Sequence, residues 1–395
     1  MNATNSQRNL DMITQSTTCR ICNSEVNEVA TLDAIHINDF PLTPTESKGI
    51  VPLVLDQCNE CTLVQLRHTI DPSILYGEHY WYQSGLNAKL KQNLLDIAEY
   101  ANMHTRPGDT VLDIGANDGT LLGGVSPDRI RVGCEPAPNL INSLTEHCDV
   151  VIPDMWDHKL MKGKCAKFIT AIGMFYDMDN PNTFIHSVKQ ALTEDGIFVA
   201  QLMTLAPMLN KRDLGNICHE HLEYYTYKSL VELYERNGLE IYRVEENDIQ
   251  GGSYQLWGRH IDKGSVQYNE DVSGLQDFFD SIIITRDKLH AIFESFKEQG
   301  KICYVYGAST KGNTLLQLWD LGKFFDGVAE IHPDKIGRYT VGTGIPIVAE
   351  SEAKLKADVF FVPNFGFKDM FMEKERDWLH AGGQMVFAMP MVEVV

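Results

Sequence analysis

The fold of this chain is decided by Val111-Leu-Asp-Ile-Gly-Ala-Asn-Asp-Gly-Thr-Leu-Leu122, an apolar run that breaks at a glycine-spaced turn and then resumes a helical apolar pattern. The pattern predicts a strand, a tight loop and a helix. Gly115 and Gly119 stand where the backbone turns and approaches a ligand closely, and the helix after them offers unpaired N–H groups. Asp113 and Asp118 make the loop acidic, which suits a cationic ligand or ribose hydroxyls better than a phosphate.

Two more carboxylates follow at the ends of later candidate strands. Arg131-Val-Gly-Cys-Glu-Pro136 predicts a second strand ending at Glu135, the position from which a carboxylate binds ribose hydroxyls in dinucleotide folds. Asp154 comes after the apolar Val150-Val-Ile-Pro153 and is placed to meet an adenine. A purely structural strand-to-helix turn is the alternative interpretation of the glycine pair.

Length and charge limit the classes of protein. At 395 residues the chain is longer than a single hydrophobic core usually accommodates, so two or three domains are expected. The net charge of −20 and the pI near 5.0 argue against nucleic-acid and anionic-membrane partners. No stretch approaches the ~20 apolar residues of a membrane helix, and residues 1–16 lack a signal-peptide pattern. We therefore expect a cytoplasmic monomer.

The nine cysteines include two Cys-x-x-Cys pairs, Cys19-Arg-Ile-Cys22 and Cys58-Asn-Glu-Cys61. Such pairs can place four thiolates at the corners of a tetrahedron, the closed geometry of structural zinc. A redox pair and inert thiols are the alternatives. Four sulfur ligands leave no open coordination position, so this zinc is expected to support the fold and not to react.

Residues 105–260 alternate between strand-like and helix-like runs, with strands at 168–175 and 196–202 around a helix at 183–192. This alternation predicts an α/β fold, a mostly parallel sheet that binds ligands at the carboxyl ends of its strands. The run at 301–316 repeats strand, Gly-rich turn and helix, and its loop carries Lys311, which indicates a second doubly wound domain facing an anion. The predicted divisions are a flexible tail (1–18), a zinc module (19–75), a Rossmann-like domain built around the glycine-rich loop (76–262), a polar helical linker (263–297) and a second Rossmann-like domain (298–395).

Catalytic candidates are concentrated in Asn216-Ile-Cys-His-Glu-His-Leu222. His219 and His221, two apart, point to opposite sides of an extended chain, so one of them is expected to face a pocket. A catalytic histidine is favoured over a metal ligand or a core histidine. The segment from Tyr76 to Asn87 carries aromatic rings that either form a domain seam or line a sugar or base pocket.

These motifs together resemble the bacterial sugar C-methyltransferases that act on nucleotide-linked 4-keto-deoxysugars, over nearly the full length. The resemblance implies structural zinc on Cys19, Cys22, Cys58 and Cys61, and S-adenosylmethionine as cofactor. It implies cofactor contacts from Asp113, Gly115, Asn117, Asp118, Gly119, Glu135, Pro136, Asp154 and Met174. It implies contacts to a nucleotide-diphosphate sugar from Tyr80, Tyr82, Ser84, Asn87, Gly251, Gly252, Lys311, Asn313 and Thr314. Its catalytic set is His221, Glu220, His219, Cys218 and Asp177.

The resemblance implies that His221 removes the proton from sugar carbon 3, that Glu220 orients it, and that the enolate carbon attacks the sulfonium methyl. Two positions depart from the family, which has Tyr where this chain has Cys218 and His where it has Asp177. These departures predict a different sugar stereochemistry or a different methylated carbon. The competing functions are an O- or N-methyltransferase on a small metabolite and a nucleotide-sugar-binding protein that has lost catalysis, and the nucleotide is thymidine or guanosine diphosphate.

Overall fold

The computed structural model describes residues 13–76, 80–363, 366 and 368–395. They form an N-terminal β module, a central α/β domain with a seven-stranded sheet, and a C-terminal α/β domain with a six-stranded sheet. The predicted α/β class with two doubly wound domains is confirmed. Residues 1–12 of the predicted tail and residues 77–79 of the aromatic segment lie outside the described residues.

The elements are numbered in chain order. The strands are β1 (Ile13–Gln15), β2 (Val26–His36), β3 (Ile50–Cys58), β4 (Val64–Leu66), β5 (His68–Ile70), β6 (Thr110–Ile114), β7 (Ile130–Cys134), β8 (Val150–Ile152), β9 (Ala166–Ile172), β10 (Leu192–Met203), β11 (Glu223–Tyr224), β12 (Leu239–Asn247), β13 (Ser253–His260), β14 (Cys303–Tyr306), β15 (Gly327–Glu330), β16 (Ile347–Ala349), β17 (Val359–Val362), β18 (Gln384–Phe387) and β19 (Glu393–Val394). The helices are α1 (Pro72–Leu75), α2 (Ala88–His104), α3 (Thr120–Gly124), α4 (Ile141–Thr145), α5 (Pro181–Ala191), α6 (Leu205–Lys211), α7 (Tyr227–Arg236), α8 (Leu275–Glu298), α9 (Thr310–Leu318), α10 (Glu350–Lys354), α11 (Lys368–Lys374) and α12 (Arg376–His380).

The central sheet has the strand order β12-β13-β10-β9-β6-β7-β8. The pairs from β10 to β8 are parallel, and β13 runs antiparallel to both of its neighbours. The strands in the middle of the sheet are apolar and buried on both faces, as expected for a sheet covered by helices. Their carboxyl ends meet at one edge, which holds the glycine-rich loop after β6, Glu135 after β7 and the turn Phe175–Asp177 after β9.

The N-terminal module is joined to the central domain through a shared sheet. Its four-stranded sheet has the order β11-β4-β3-β2, and β11 comes from the central part of the chain. The amide N–H of Leu66 also donates to the carbonyl oxygen of Leu222 over 2.9 Å. The predicted tail is wrong for its last part, because β1 pairs antiparallel with β5 and so gains ladder hydrogen bonds.

The C-terminal sheet has the order β16-β15-β14-β17-β18-β19, parallel except for β19. The predicted polar linker at 263–297 is corrected by α8, whose apolar face packs into the core of this domain. Phe278, Phe293 and Phe296 lie on that face, and they join a cluster with strand residues of the C-terminal sheet. Neither α8 nor any other helix among the described residues is long and apolar enough to cross a membrane.

Candidate active site

The four cysteines of the two Cys-x-x-Cys pairs meet in the N-terminal module. Their sulfur atoms all lie within 4.8 Å of one another. The Cys19–Cys61, Cys22–Cys58 and Cys22–Cys61 sulfur pairs are 3.5, 3.4 and 3.8 Å apart. A tetrahedral zinc ion with Zn–S bonds of about 2.3 Å has sulfur–sulfur edges of about 3.8 Å, so the cluster fits zinc. The zinc prediction made from the spacing is confirmed.

This cluster lies against the central domain. Cys19, Cys58 and Cys61 belong to the same apolar cluster as Phe175, which follows β9. Next to them, the Arg20 guanidinium donates to a side-chain oxygen of Asp179 over 2.7 Å and to the Leu66 carbonyl oxygen over 2.8 Å. The zinc module is therefore fixed beside the turn that carries Asp177.

The glycine-rich loop after β6 needs its two glycines for conformation and for space. Gly115 has φ +70°, and a Cβ there would lie 2.7 Å from Cγ of Met174. Gly119 has φ +83°, and a Cβ there would lie 2.9 Å from Cβ of His147. Larger residues at either position would strain the backbone and force neighbouring side chains apart. The loop is thereby kept open at the carboxyl edge of the sheet.

Buried carboxylates give this loop a negative potential. Asp113 accepts a hydrogen bond from Thr170 Oγ1 over 2.6 Å, and burial raises its pKa to about 7. Glu135 accepts from the backbone N–H of Ala137 at 2.8 Å and of Asn117 at 2.9 Å, and burial raises its pKa. Buried carboxylates that are costly to ionise favour a ligand that brings positive charge. The residues therefore fit S-adenosylmethionine, which carries a sulfonium and an ammonium group.

The loop also holds the aromatic segment that precedes α2. Asn117 accepts from the backbone N–H of Ser84 over 2.9 Å and donates to the Tyr82 carbonyl oxygen over 3.1 Å. Asp118 accepts from the backbone N–H of Gly85 over 2.7 Å. The predicted substrate segment thus lies across the predicted cofactor loop, and two residues assigned to cofactor binding also serve as its supports.

Three residues that were predicted to contact the substrate or the cofactor make other contacts in the structure. Asn87 caps α2 by accepting from the Leu90 N–H over 3.0 Å, so its side-chain oxygen is engaged in the helix and its assignment to the substrate is corrected. Asp154 is exposed and accepts from the backbone N–H of Met155 over 2.7 Å. Pro136 is half-buried directly after Glu135, where it shapes the turn out of β7.

We expect Asp113→Asn to change how stability depends on pH. Because the folded-state pKa is about 7 against an ordinary value of 3.8, the folded protein retains a proton that the unfolded chain has released. The stability from this proton is present at low pH and is lost as pH rises through about 7. The Tm of the cofactor-free wild type, minus that of Asp113→Asn, should therefore fall between about pH 5 and about pH 8. The exposed Asp128→Asn is the control, and a constant difference for Asp113→Asn would contradict the expectation.

His221 lies in the segment between α6 and β11. Its Nδ1 is 2.8 Å from the carbonyl oxygen of Asn216, which can only accept, so Nδ1 carries a proton. Burial, and then the positive charge of Lys311, lower the pKa of His221 to about 3, so the ring is neutral at pH 7. The lone pair is therefore on Nε2. The Tyr176 ring packs edge-on against the imidazole with centroids 4.5 Å apart and fixes its plane.

His219 has a different partner from His221, although the segment is a turn and not the extended chain assumed in the prediction. It is buried, and its Nε2 donates to the Val51 carbonyl oxygen of β3 over 3.0 Å. Burial lowers its pKa to about 4, which keeps it neutral. Its catalytic assignment is therefore corrected, because its donor is bound to the zinc module and holds the segment in place.

Two carboxyl groups lie beside the predicted base. Tyr76 donates its hydroxyl to Asp177 Oδ2 over 3.1 Å, and Asn38 donates its side-chain N–H to Glu220 Oε2 over 3.4 Å. Burial raises the pKa of Asp177 well above its usual range, and the charge of Glu220 adds to this. The buried Cys218 thiol also hydrogen-bonds to Glu220. Cys218 and Asp177 are the two departures predicted to alter the pocket. Asp177 is one member of this acid pair, and Cys218 contacts the other member, Glu220.

The C-terminal domain reaches this region through Lys311 at the start of α9. Its Nζ donates to the Gln250 carbonyl oxygen over 3.0 Å and lies 3.3 Å from Asp213 Oδ2. The Lys311 ammonium group thus has a carboxylate partner within the protein, and its contact with a substrate anion stays a prediction. Gly251 and Gly252, at φ +99° and +129°, form the turn next to Gln250, and a Cβ on Gly252 would meet a proline of α6 at 2.6 Å.

The other two predicted contacts from α9 also hold domains together. Asn313 donates to the Asp39 carbonyl oxygen over 3.0 Å, and Asn38 donates to Thr314 Oγ1 over 3.3 Å. Both α9 residues are buried, so their assignment to nucleotide binding is corrected. The Oδ1 atoms of Asn38 and Asn313 have no hydrogen-bond partner among the described residues. Two hydrogen-bond acceptors are therefore available where the three domains meet.

Two tyrosines of the aromatic segment line the same region. The backbone N–H of Tyr80 donates to Asn139 Oδ1 over 3.0 Å, and burial and then the charge of Asp177 raise the pKa of its phenol. The Tyr82 hydroxyl accepts from Gln250 Nε2 over 3.2 Å. The sequence prediction missed Tyr76 and Asn38. Tyr76 begins the aromatic segment, whereas Asn38 follows β2 and carries no motif that could have marked it.

Three regions of the chain match known families in the order of its domains. Residues 19–76 match a zinc binding domain, residues 82–244 a methyltransferase domain, and residues 248–390 a C-methyltransferase C-terminal domain. The chain is an S-adenosylmethionine-dependent methyltransferase with a structural zinc module, and its C-terminal domain makes it a C-methyltransferase. It is related to C-methyltransferase NovU of Streptomyces niveus, with 24% identity over 420 residues that cover 98% of each chain.

Solved structures match part of the chain. Mitomycin 7-O-methyltransferase MmcR is 17% identical, with a TM-score of 0.35, and the match covers 42% of this chain and 54% of that one. Magnesium protoporphyrin IX methyltransferase (ChlM) from Synechocystis PCC 6803 with bound SAM is 10% identical, with a TM-score of 0.35, and the match covers 48% of this chain and 89% of that one.

Proposed function

We propose that the protein methylates carbon 3 of a nucleotide-diphosphate-linked 4-keto-6-deoxysugar in branched-deoxysugar biosynthesis, with His221 as the base. The observation that carries the proposal is the tautomer of His221. Its Nδ1 donates to the Asn216 carbonyl oxygen, so the free lone pair is on Nε2. The segment that carries His221 packs beside the turn after β9. A neutral imidazole with one fixed N–H has a free lone pair to accept the proton, and a substrate that brings negative charge into the pocket would raise its low pKa toward the value a general base needs.

The reaction needs an acidic C–H bond and a methyl group that a carbanion can attack. A ketone at carbon 4 acidifies the hydrogen at carbon 3, and S-adenosylmethionine, when bound, supplies the methyl group as an electrophile. His221 accepts the proton at Nε2, and the enolate carbon is the nucleophile. The chain's part is to orient the sugar, hold the imidazole neutral and stabilise the charge that develops on the carbonyl oxygen.

The surroundings of the acid pair favour a C–H substrate. A group that stabilises an enolate oxygen must donate a hydrogen bond, and Asp177 and Glu220 are buried carboxyls that can retain a proton. The intact glycine-rich loop and the ordered base argue against a protein that has lost catalysis. Since Cys218 and Asp177 replace the family's tyrosine and histidine, the sugar oxygens meet different groups. We propose that this alters the stereochemistry at carbon 3, and methylation of a different carbon is the alternative.

The nucleotide is proposed to bind between the central and C-terminal domains, near the aromatic segment. Tyr80 and Tyr82 offer aromatic surface there, and the Tyr82 side chain is 39% exposed with a hydroxyl that reaches Gln250. The polar contacts of Lys311 are already made within the protein, so the diphosphate is expected to rely also on other groups at this junction.

The proposal is tested with thymidine- and guanosine-diphosphate 4-keto-6-deoxysugars carrying deuterium at carbon 3, incubated with methyl-labelled cofactor and analysed by mass spectrometry. A C-methylated product that has lost the deuterium is the expected result. Retention of deuterium in a product whose fragment ions place the methyl group on oxygen or nitrogen would instead identify an O- or N-methyltransferase. Absence of labelled product with every sugar would contradict the proposed substrate class.

A further inference from the structure

Asp177 has two carboxyl oxygens in different surroundings. It ends the turn after β9, and the Leu222 N–H donates to the Tyr176 carbonyl oxygen over 2.8 Å, so this turn runs beside the segment that carries His221. Its Oδ2 accepts from the Tyr76 hydroxyl over 3.1 Å. Its Oδ1 is buried and has no hydrogen-bond partner among the residues that the structure describes.

Glu220 shares the pocket but has more donors. Asn38, which is only 7% exposed, donates to Glu220 Oε2, and the Cys218 thiol also hydrogen-bonds to this carboxyl group. Two carboxyl groups in one desolvated site do not both ionise readily, so the pair retains a proton. Donors stabilise a carboxylate. Glu220 therefore holds the negative charge, and the proton is on Asp177, whose one donor within the described part of the chain is Tyr76.

The position of the proton follows from the hydrogen bonds. An oxygen that accepts from a phenol acts as the carbonyl oxygen of a carboxylic acid, so Oδ2 has that role and Oδ1 bears the hydrogen. This hydrogen has no acceptor among the described residues. A buried donor without an acceptor is costly, and a ligand oxygen placed there would relieve that cost.

We infer that Asp177 is a neutral carboxylic acid that donates from Oδ1 to the substrate's carbonyl oxygen and so stabilises the enolate. The inference rests on the proposed function and adds a residue to it. When Nε2 of His221 takes the proton from carbon 3, the electron pair of that C–H bond moves toward the carbonyl oxygen. It then returns to form the new C–C bond while the methyl–sulfur bond breaks and leaves its electrons on sulfur. Asp177 keeps its proton throughout.

Several titratable groups bear on Asp177 from the neighbouring elements. They are Tyr76, Tyr80, Tyr176, Cys218, Glu220, Glu223, Tyr224 and Tyr225. None of them is a cation, so a carboxylate at Asp177 would lack a counterion within this set. Raising the pH far enough to ionise Asp177 should therefore replace its donor with a repulsive charge beside the forming enolate, and the rate should fall.

The test compares Asp177→Asn with Asp177→Leu in the full-length protein. Asparagine keeps a neutral donor of the same shape, so it should retain activity within about tenfold and lose the high-pH decline, whereas leucine should lower kcat by about 10²–10³-fold. The exposed Asp195→Asn is the control and should match the wild type. If Asp177→Asn is as impaired as Asp177→Leu, the residue acts as a carboxylate and the inference is overturned.

A second measurement does not depend on the substrate. The infrared difference spectrum of wild type minus Asp177→Asn at neutral pH should contain the carbonyl band of a protonated carboxylic acid, and wild type minus Asp195→Asn should not. Absence of the band in the first spectrum overturns the inference. A band without turnover of any 4-keto sugar by the wild type would confirm the protonated acid while the proposed function fails, so the two failures are distinguishable.

Discussion

Replacing His221 by alanine should lower kcat by about 10²–10⁴-fold and leave S-adenosylmethionine affinity unchanged. The physical reason is that Nε2 offers the lone pair that accepts the proton, whereas the cofactor loop after β6 is built from other residues. Because burial and Lys311 hold the pKa of the wild-type His221 at about 3, lowering the pH to about 6 should not protonate it in the free enzyme. The measurements are single-turnover rates and calorimetric titration with the cofactor.

The same variant should lose exchange of the carbon 3 proton. With S-adenosylhomocysteine in place of the methyl donor, wild type should still exchange this proton with deuterated solvent, and His221→Ala should not. The exposed His186 on α5 provides the matched control, and His186→Ala should behave as wild type. Full turnover or full exchange by His221→Ala would show that another group is the base.

The largest loss of stability is expected from Cys61→Ser. Structural zinc in zinc-finger peptides contributes an apparent ~10–16 kcal/mol, as much as the ~5–15 kcal/mol that stabilises a typical domain. Cys61 is buried in the apolar cluster shared with the central domain, so the loss should spread beyond the module. We expect less than one zinc per chain by plasma mass spectrometry, a lower Tm and loss of methylation.

The control for this prediction is Cys165→Ser, because Cys165 is an exposed free thiol. It should retain one zinc per chain and the wild-type Tm. Where Cys61→Ser does not accumulate as folded protein, removal of zinc from wild type by a chelator, followed by near-ultraviolet circular dichroism, gives the same answer. Retention of the native spectrum in zinc-free protein would contradict a structural role for the metal.

Sequence spacing predicted the parts that depend on local periodicity. The glycine pair at 115 and 119 correctly predicted the tight loop between β6 and α3, because positive φ and lack of space restrict both sites to glycine. His219 and His221 do have different partners, but the segment is a turn closed by the His221 N–H and the Cys218 carbonyl oxygen, and not the extended chain on which the prediction depended. The four cysteines were found by their spacing, because a tetrahedral metal site needs two turns of this kind.

Long-range contacts explain what the sequence could not provide. Lys311 and Asn313 were assigned to a nucleotide because they open a helix after a glycine-rich turn, yet their partners are Gln250 and the Asp39 carbonyl oxygen. Nothing local to α9 encodes those partners. The helix predicted within the linker is present as α8, but its role as a polar linker is corrected, since its buried phenylalanines pack into the core of the C-terminal domain.

The pairing of β11 with β4 has a consequence for how this enzyme can be recombined. The segment that carries His221 is held from the N-terminal module by the carbonyl oxygen of Val51 and by the amide of Leu66. A chimaera that takes residues 13–76 from one parent and residues 216–224 from another would mismatch these contacts. Such a chimaera should bind its cofactor but be catalytically inactive. An active chimaera therefore requires both segments to come from the same parent.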